Sequence, residues 1–259
     1  MTNGGKPAIV GFSCLSDDRP DRRTRTLEWR DATYRLGMVS DRSYVTTIAT
    51  WVFVIGYASR PLLGSVLPSV VMPGVYVVVV IAALVAYRRV LADAARRAWQ
   101  HRARSLAMVV GGYLGILALT AAVGYLTQYL FDYFGVALAD PQNTGELSQP
   151  RASLVRLILP MIYIGIVAPI VEELFFRQFL IGSLGKHAPT WMSLVVSSVL
   201  FGMFHVYSLV ASEWINAVSF TAAGLGLGLV YVLSGRNVVL SSLLHIANNL
   251  PIVIMALLV

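Results

Sequence analysis

Residues 157–184 read LILPMIYIGIVAPIVEELFFRQFLIGSL, an apolar run interrupted by Glu172, Glu173 and Arg177. About 20 apolar residues suffice for a helix to cross the hydrocarbon core of a bilayer, and this run is long enough. Charged groups inside such a span are expensive and rare, and by default they point to function. The stretch therefore says two things together. The solvent of this segment is lipid, and chemistry is placed inside it.

The rest of the chain extends the first statement. Of its 259 residues, 57% are hydrophobic and 13% charged, where a soluble domain carries about 25% charged. Mean hydropathy is +0.70. Further apolar runs lie at 44–66 (broken by Arg60-Pro61), 70–87, 106–131, 190–210, 214–233 and 237–258. The expected fold is all-α, a polytopic transmembrane helical bundle of about seven spans, with six to eight compatible with the pattern. The charge and prolines of the first run also allow a re-entrant segment. The expected organisation is a polar basic tail over 1–43, N-terminal transmembrane helices over 44–131, an extracytoplasmic loop over 132–152 and a helical core over 153–259.

Charge sets the expected orientation. The net charge of +7 suggests nucleic acid at first sight. Basic residues, however, mark the cytoplasmic side of a membrane protein, and no nucleic-acid partner is expected. Eight of the twenty basic residues fall in 1–43 and six in 88–104. Seven spans with a cytoplasmic N-terminus put both segments on one side, with Lys186 and Arg236. Arg60, Arg151 and Arg156 fall on the other side, whose loop 132–152 is instead acidic and turn-rich (Asp132, Asp140, Pro141, Gly145, Glu146, Pro150). The absent signal peptide and short loops suit a multi-pass protein of a bacterial plasma membrane. Met1-Thr2-Asn3 opens a polar segment without an apolar signal region, and Leu257-Leu258-Val259 carries no prenylation cysteine. The single Cys14 supports neither an intrachain disulfide nor a cysteine metal site.

Deep in the spans stand Glu172, Glu173, Arg177, His205 and His245, with Asn249 four residues after His245. Glu173 and Arg177, four apart, share a helix face and can pair. Glu172 lies about 100° further round and points elsewhere, without an arginine of its own. Two adjacent carboxylates in a low dielectric do not both stay charged cheaply. Pairing ionises one and leaves Glu172 as the candidate general base. From a helical rise of about 1.5 Å per residue, Glu172, His205 and His245 all fall in the middle third of the membrane. Glu213, between two spans, reads as an interface residue. Gly224, Gly226 and Gly228, with Ala222, read as small residues that let helices approach closely; they lack the strand–turn–helix setting of a phosphate loop.

These residues carry a family resemblance. Pro169-Ile170-Val171-Glu172-Glu173-Leu174-Phe175-Phe176-Arg177 resembles the EExxxR motif of the CPBP family, the CAAX proteases and bacteriocin-processing enzymes. Phe201-Gly202-Met203-Phe204-His205 resembles its FxxxH motif and His245-Ile246-Ala247-Asn248-Asn249 its HxxxN motif. The likeness covers about 153–258 and departs from many members at Gln178, where they have glycine. It implies an intramembrane endopeptidase of the glutamic type, acting on a membrane-associated protein or peptide, including prenylated CAAX-type tails. Glu172 and His205 would activate water, His245 and Asn249 would stabilise the oxyanion, and Glu173 and Arg177 would organise the site. No cofactor is expected. The alternatives are a zinc-dependent protease with Glu172, His205 and His245 as ligands, a proton-coupled transporter, and a non-catalytic scaffold or immunity-type protein. Zinc is disfavoured by the lack of an HExxH pair, and a transporter by the lack of an inverted repeat.

Overall fold

The computed structural model describes residues 44–68, 70–137 and 154–258. The tail 1–43, with Cys14, lies outside the described residues, as do residues 138–152 of the expected loop and residue 153 of the expected core. Among the described residues all regular structure is helical: α1 Tyr44–Ala58, α2 Arg60–Val66, α3 Met72–Gln100 and α4 Arg102–Phe134. Helix α5 starts at Leu154 and runs to Leu184, with π-helical turns at Tyr163–Val167 and Leu174–Ile181. Three more follow, α6 Thr190–Met203, α7 Ala211–Leu233 and α8 Val238–Leu258.

Five of these helices, α3, α4, α5, α7 and α8, are long and apolar enough to cross a membrane. The expected count of about seven therefore needs correction at two places. Helix α1 has 15 residues and α6 has 14. At about 1.5 Å per residue they reach roughly 21–22 Å, short of a core about 30 Å thick. Both breaks have local causes. After α1 the hydroxyl of Ser59 donates to Ile55 O at 2.7 Å, and Pro61, two residues on, has no N–H with which to continue the ladder. After α6 the backbone N–H of His205 turns back to Gly202 O at 3.0 Å, so the helix stops short of the expected 210. The arginine-rich segment 88–104, expected on the cytoplasmic side between two spans, is part of the helices themselves. It is helical to Gln100 and again from Arg102, with a break at His101.

Helix ends follow from sequence. Gly135 adopts a left-handed φ of 61° after α4, and Val136 N–H returns to Phe131 O at 3.0 Å, a backbone closure that favours glycine. Asn237 starts α8 by accepting Val239 N–H through Oδ1 at 3.1 Å. Its Nδ2 donates to Ala94 O at 3.0 Å, tying α8 to α3.

Small residues set the packing around α5. A Cβ on Gly202 would meet Thr221 Oγ1 and come within 2.6 Å of Ala217 O, so α6 lies against α7 almost backbone to backbone. Along α7, a Cβ on Gly224 would crowd Phe201, one on Gly226 would come within 2.5 Å of Ile116, and one on Gly228 would meet Leu194. The close-packing reading of these glycines thus has a specific neighbour at each position. Between the helices Phe53, Leu174, Phe176, Phe201, Tyr231 and Leu244 form a buried core.

Candidate active site

Every residue from Val171 to Gln178 is buried, because α5 lies at the centre of the bundle. Its irregular register has a cause in Pro169. Ala168 N–H bonds to Tyr163 O in the wide π pattern. The next donor in that pattern would be Pro169, which has no N–H. The Ile164 carbonyl is thereby left without a main-chain donor, and Asn249 Nδ2 supplies one from α8 at 3.0 Å. That bond uses one of the two amide hydrogens of Asn249 and fixes which way its side chain is turned, since a carbonyl only accepts.

The two glutamates divide sharply. Glu173 is fully buried, and its Oε2 accepts from Arg177 Nε at 3.1 Å. Arg177, also fully buried, donates from Nη1 to Ser197 Oγ at 3.2 Å, and Ser197 donates on to Phe176 O at 2.7 Å. The guanidinium lies 5.1 Å from the ring of Phe201. The other oxygen of Glu173 faces His245 Nδ1 at 3.2 Å. An arginine-paired carboxylate accepts only, so Nδ1 carries the proton and Nε2 is left toward Glu172, whose Oε2 is 3.8 Å away.

His205 does not sit inside a span as the spacing suggests; it lies in the turn that follows α6. Its backbone N–H is diverted to Gly202 O, and its imidazole Nδ1 donates instead to the orphaned Phe201 carbonyl at 2.8 Å. The four-residue spacing of Phe201 and His205 thus builds a side-chain cap and leaves Nε2 free. The ring stacks on Phe220 at 4.3 Å. Phe201 touches His205, His245 and Phe176 with ring separations of 4.7, 5.6 and 5.2 Å, which joins the three motifs through one aromatic side chain.

These groups wall a cavity of about 350 Å³, which Arg60, Glu172, His205, His245 and Asn249 all line. Glu173 and Arg177 are not among its walls; they lie behind His245. Sequence reasoning missed Arg60. Its Nη1 is 3.9 Å from Glu172 Oε1, so Glu172 does have an arginine near it, contrary to the expectation. The available signal was a charged residue beside a proline inside an apolar run. The structure also gives a partner to Glu213, read in sequence as an interface residue. It is buried in the first turn of α7, and its Oε2 accepts Tyr207 N–H at 3.1 Å, holding the loop after His205. Gln178, the departure from the motif, accepts from Tyr231 OH at 3.3 Å and so links α5 to α7. Among the described residues, no three His, Cys, Asp or Glu side chains stand where they could hold a metal ion.

Comparison with known families matches residues 154–251 to the type II CAAX prenyl endopeptidase family, Rce1-like. The match runs from α5 into α8 and contains all six motif residues. It covers less than half of the chain, and α1 to α4, with Arg60, precede it. No curated protein and no solved structure matches the chain. From Leu154 to Pro251 this multi-pass membrane protein is similar to the type II CAAX prenyl endopeptidases.

Proposed function

We propose that the protein is an intramembrane endopeptidase of the glutamic type that cleaves a membrane-associated protein or peptide. The observation that carries this is the division around one cavity. Glu172, His205, His245 and Asn249 reach its wall from three parts of the bundle, while Glu173 and Arg177 lie behind and fix His245. Amide hydrolysis needs a base, donors for the developing oxyanion and exclusion of bulk water.

In the proposed mechanism Glu172 removes a proton from a water molecule oriented by His205 Nε2. The water oxygen adds to the scissile carbonyl carbon. Negative charge moves onto the carbonyl oxygen, where the second N–H of Asn249 and a protonated His245 Nε2 act as donors. Collapse of the intermediate breaks the C–N bond, and Glu172 returns the proton to the leaving amine. Glu173 fixes the orientation of His245 by accepting from its Nδ1–H, as partners behind a catalytic imidazole do. The basic residues of 1–43 and 88–104 support an N-terminus on the cytoplasmic face of a bacterial plasma membrane. The short α1 and α6 add to the five long helices as segments that need not cross the bilayer on their own.

The test compares purified wild type with Glu172→Gln on prenylated and unprenylated membrane-tethered peptides, with and without a chelator, and reads products by mass spectrometry. Cleavage by the wild type alone, unaffected by chelator, is expected. Loss on chelation would replace the mechanism with a metal-dependent one, and equal cleavage by both proteins would reject it.

A further inference from the structure

We infer that Arg60, contributed by the part of the chain that precedes the family domain, is a positioning residue of this site that serves as counter-ion to Glu172 and brace of the turn carrying His205. The inference rests on the peptidase reading for its catalytic consequence. The contact itself does not.

Three observations carry it. The first is the geometry of approach. Helix α2 has no buried residue, yet the side chain of Arg60, at its first position, is only 14% exposed. Helical bonds continue across Ser59, from its N–H to Ile55 O at 2.9 Å and from Leu63 N–H to Ser59 O at 2.8 Å, so Arg60 stands three residues after buried Tyr57 on the same face and enters the bundle beside it. The second is charge. Glu173 has Arg177 and His245 Nδ1, while the remaining partners of Glu172 are His245 Nε2 at 3.8 Å and Arg60 Nη1 at 3.9 Å. Arg60 is the permanent cation of that pair. A buried carboxylate without a cation is strongly disfavoured, and an arginine at membrane depth is equally disfavoured without an anion. The third is the brace. Arg60 Nη2 donates to Phe204 O at 3.0 Å and lies 3.5 Å from Tyr207 OH, on either side of His205 in sequence. Its guanidinium lies 5.5 Å from the ring centroid of Tyr57, and that ring stacks on Phe204 at 5.8 Å with an interplanar angle of 4°. One side chain therefore touches the candidate base and fixes the turn of its partner histidine.

The test has two arms. In the first, thermal unfolding is measured for wild type, Arg60→Gln, Glu172→Gln and the double variant, which needs no substrate. Arg60→Gln is expected to lower Tm by several degrees in the wild-type background and to lower it clearly less when Glu172 is already Gln. Equal losses in both backgrounds would overturn the counter-ion role whether or not the protein is a peptidase. In the second arm, Arg60→Gln and Arg60→Lys are assayed on a peptide that the wild type cleaves and Glu172→Gln does not. Arg60→Gln is expected to reduce kcat at least about tenfold with a smaller change in KM, as expected for a disturbed general base, and Arg60→Lys to recover part of that loss. Unchanged kcat, or a loss confined to KM, would overturn the positioning role. If the wild type and Glu172→Gln cleave alike, the peptidase reading fails and the first arm still decides the contact.

Discussion

Glu172 and Glu173 are neighbours in sequence, and the structure predicts opposite phenotypes for them. Glu173→Gln removes the carboxylate that pairs with Arg177, and Arg177 is fully buried with Nη2 already lacking a hydrogen-bond partner. Removing one partner of a buried ion pair typically costs about 3–5 kcal/mol, because the other charge is left uncompensated. For a chain near this size each kcal/mol shifts Tm by about 2–4 °C, so the expected fall is roughly 6–20 °C. Glutamine can still accept one hydrogen bond, which places the result toward the lower end. Glu172→Gln leaves the Glu173–Arg177–Ser197 network intact and loses only the longer contact to Arg60 at 3.9 Å, so its Tm should fall clearly less than that of Glu173→Gln. The assay is thermal unfolding of detergent-solubilised protein followed by intrinsic fluorescence. An internal control is the pair Glu173→Gln with Arg177→Met, which removes both charges and should recover much of the lost stability. If Glu173→Gln melts with the wild type, or if the double variant loses the sum of the single losses, the buried-pair reasoning is wrong.

Other expectations follow from the same geometry. Gly202→Ala should destabilise by at least about 1–3 kcal/mol despite its better helix propensity, because the new methyl group meets Thr221 and the Ala217 carbonyl. Gly111→Ala, with open space around it, should leave Tm unchanged or raised in the same melting assay. Ser197→Ala leaves Arg177 Nη1 and Phe176 O without their shared partner and should cost about 1–3 kcal/mol by the same measurement. Asn249→Ala releases the Ile164 carbonyl and removes an oxyanion donor. It should lower kcat about 100-fold or more on a cleaved peptide and also lower Tm, whereas a residue acting only on the oxyanion would leave Tm unmoved.

The site motifs were legible in sequence because charge in an apolar run has few explanations, and because four-residue spacings put Glu173 near Arg177 on one helix. The small residues of α7 were equally readable. What escaped was everything set by backbone hydrogen bonds. Hydropathy continues smoothly past Met203, so nothing in it shows that His205 N–H bonds to Gly202 rather than Phe201, which ends α6 early and moves His205 into a turn. The arginines of 88–104 mark a side of the membrane but not a helix end; arginine is a good helix former, and α3 extends through most of them. Arg60 and Glu172 are separated by more than a hundred residues, and no local period links them. The burial of Glu213 also escaped, because a backbone N–H such as that of Tyr207, from which it accepts, carries no sequence signature.

The central claim is that Glu172 activates the water. The most direct measurement is the single-turnover cleavage rate of Glu172→Gln against wild type, on a peptide the wild type cleaves, with both proteins shown to be folded at the assay temperature. A loss of about 100- to 10,000-fold or more is predicted for removal of a general base. Cleavage by Glu172→Gln at the wild-type rate would contradict the account.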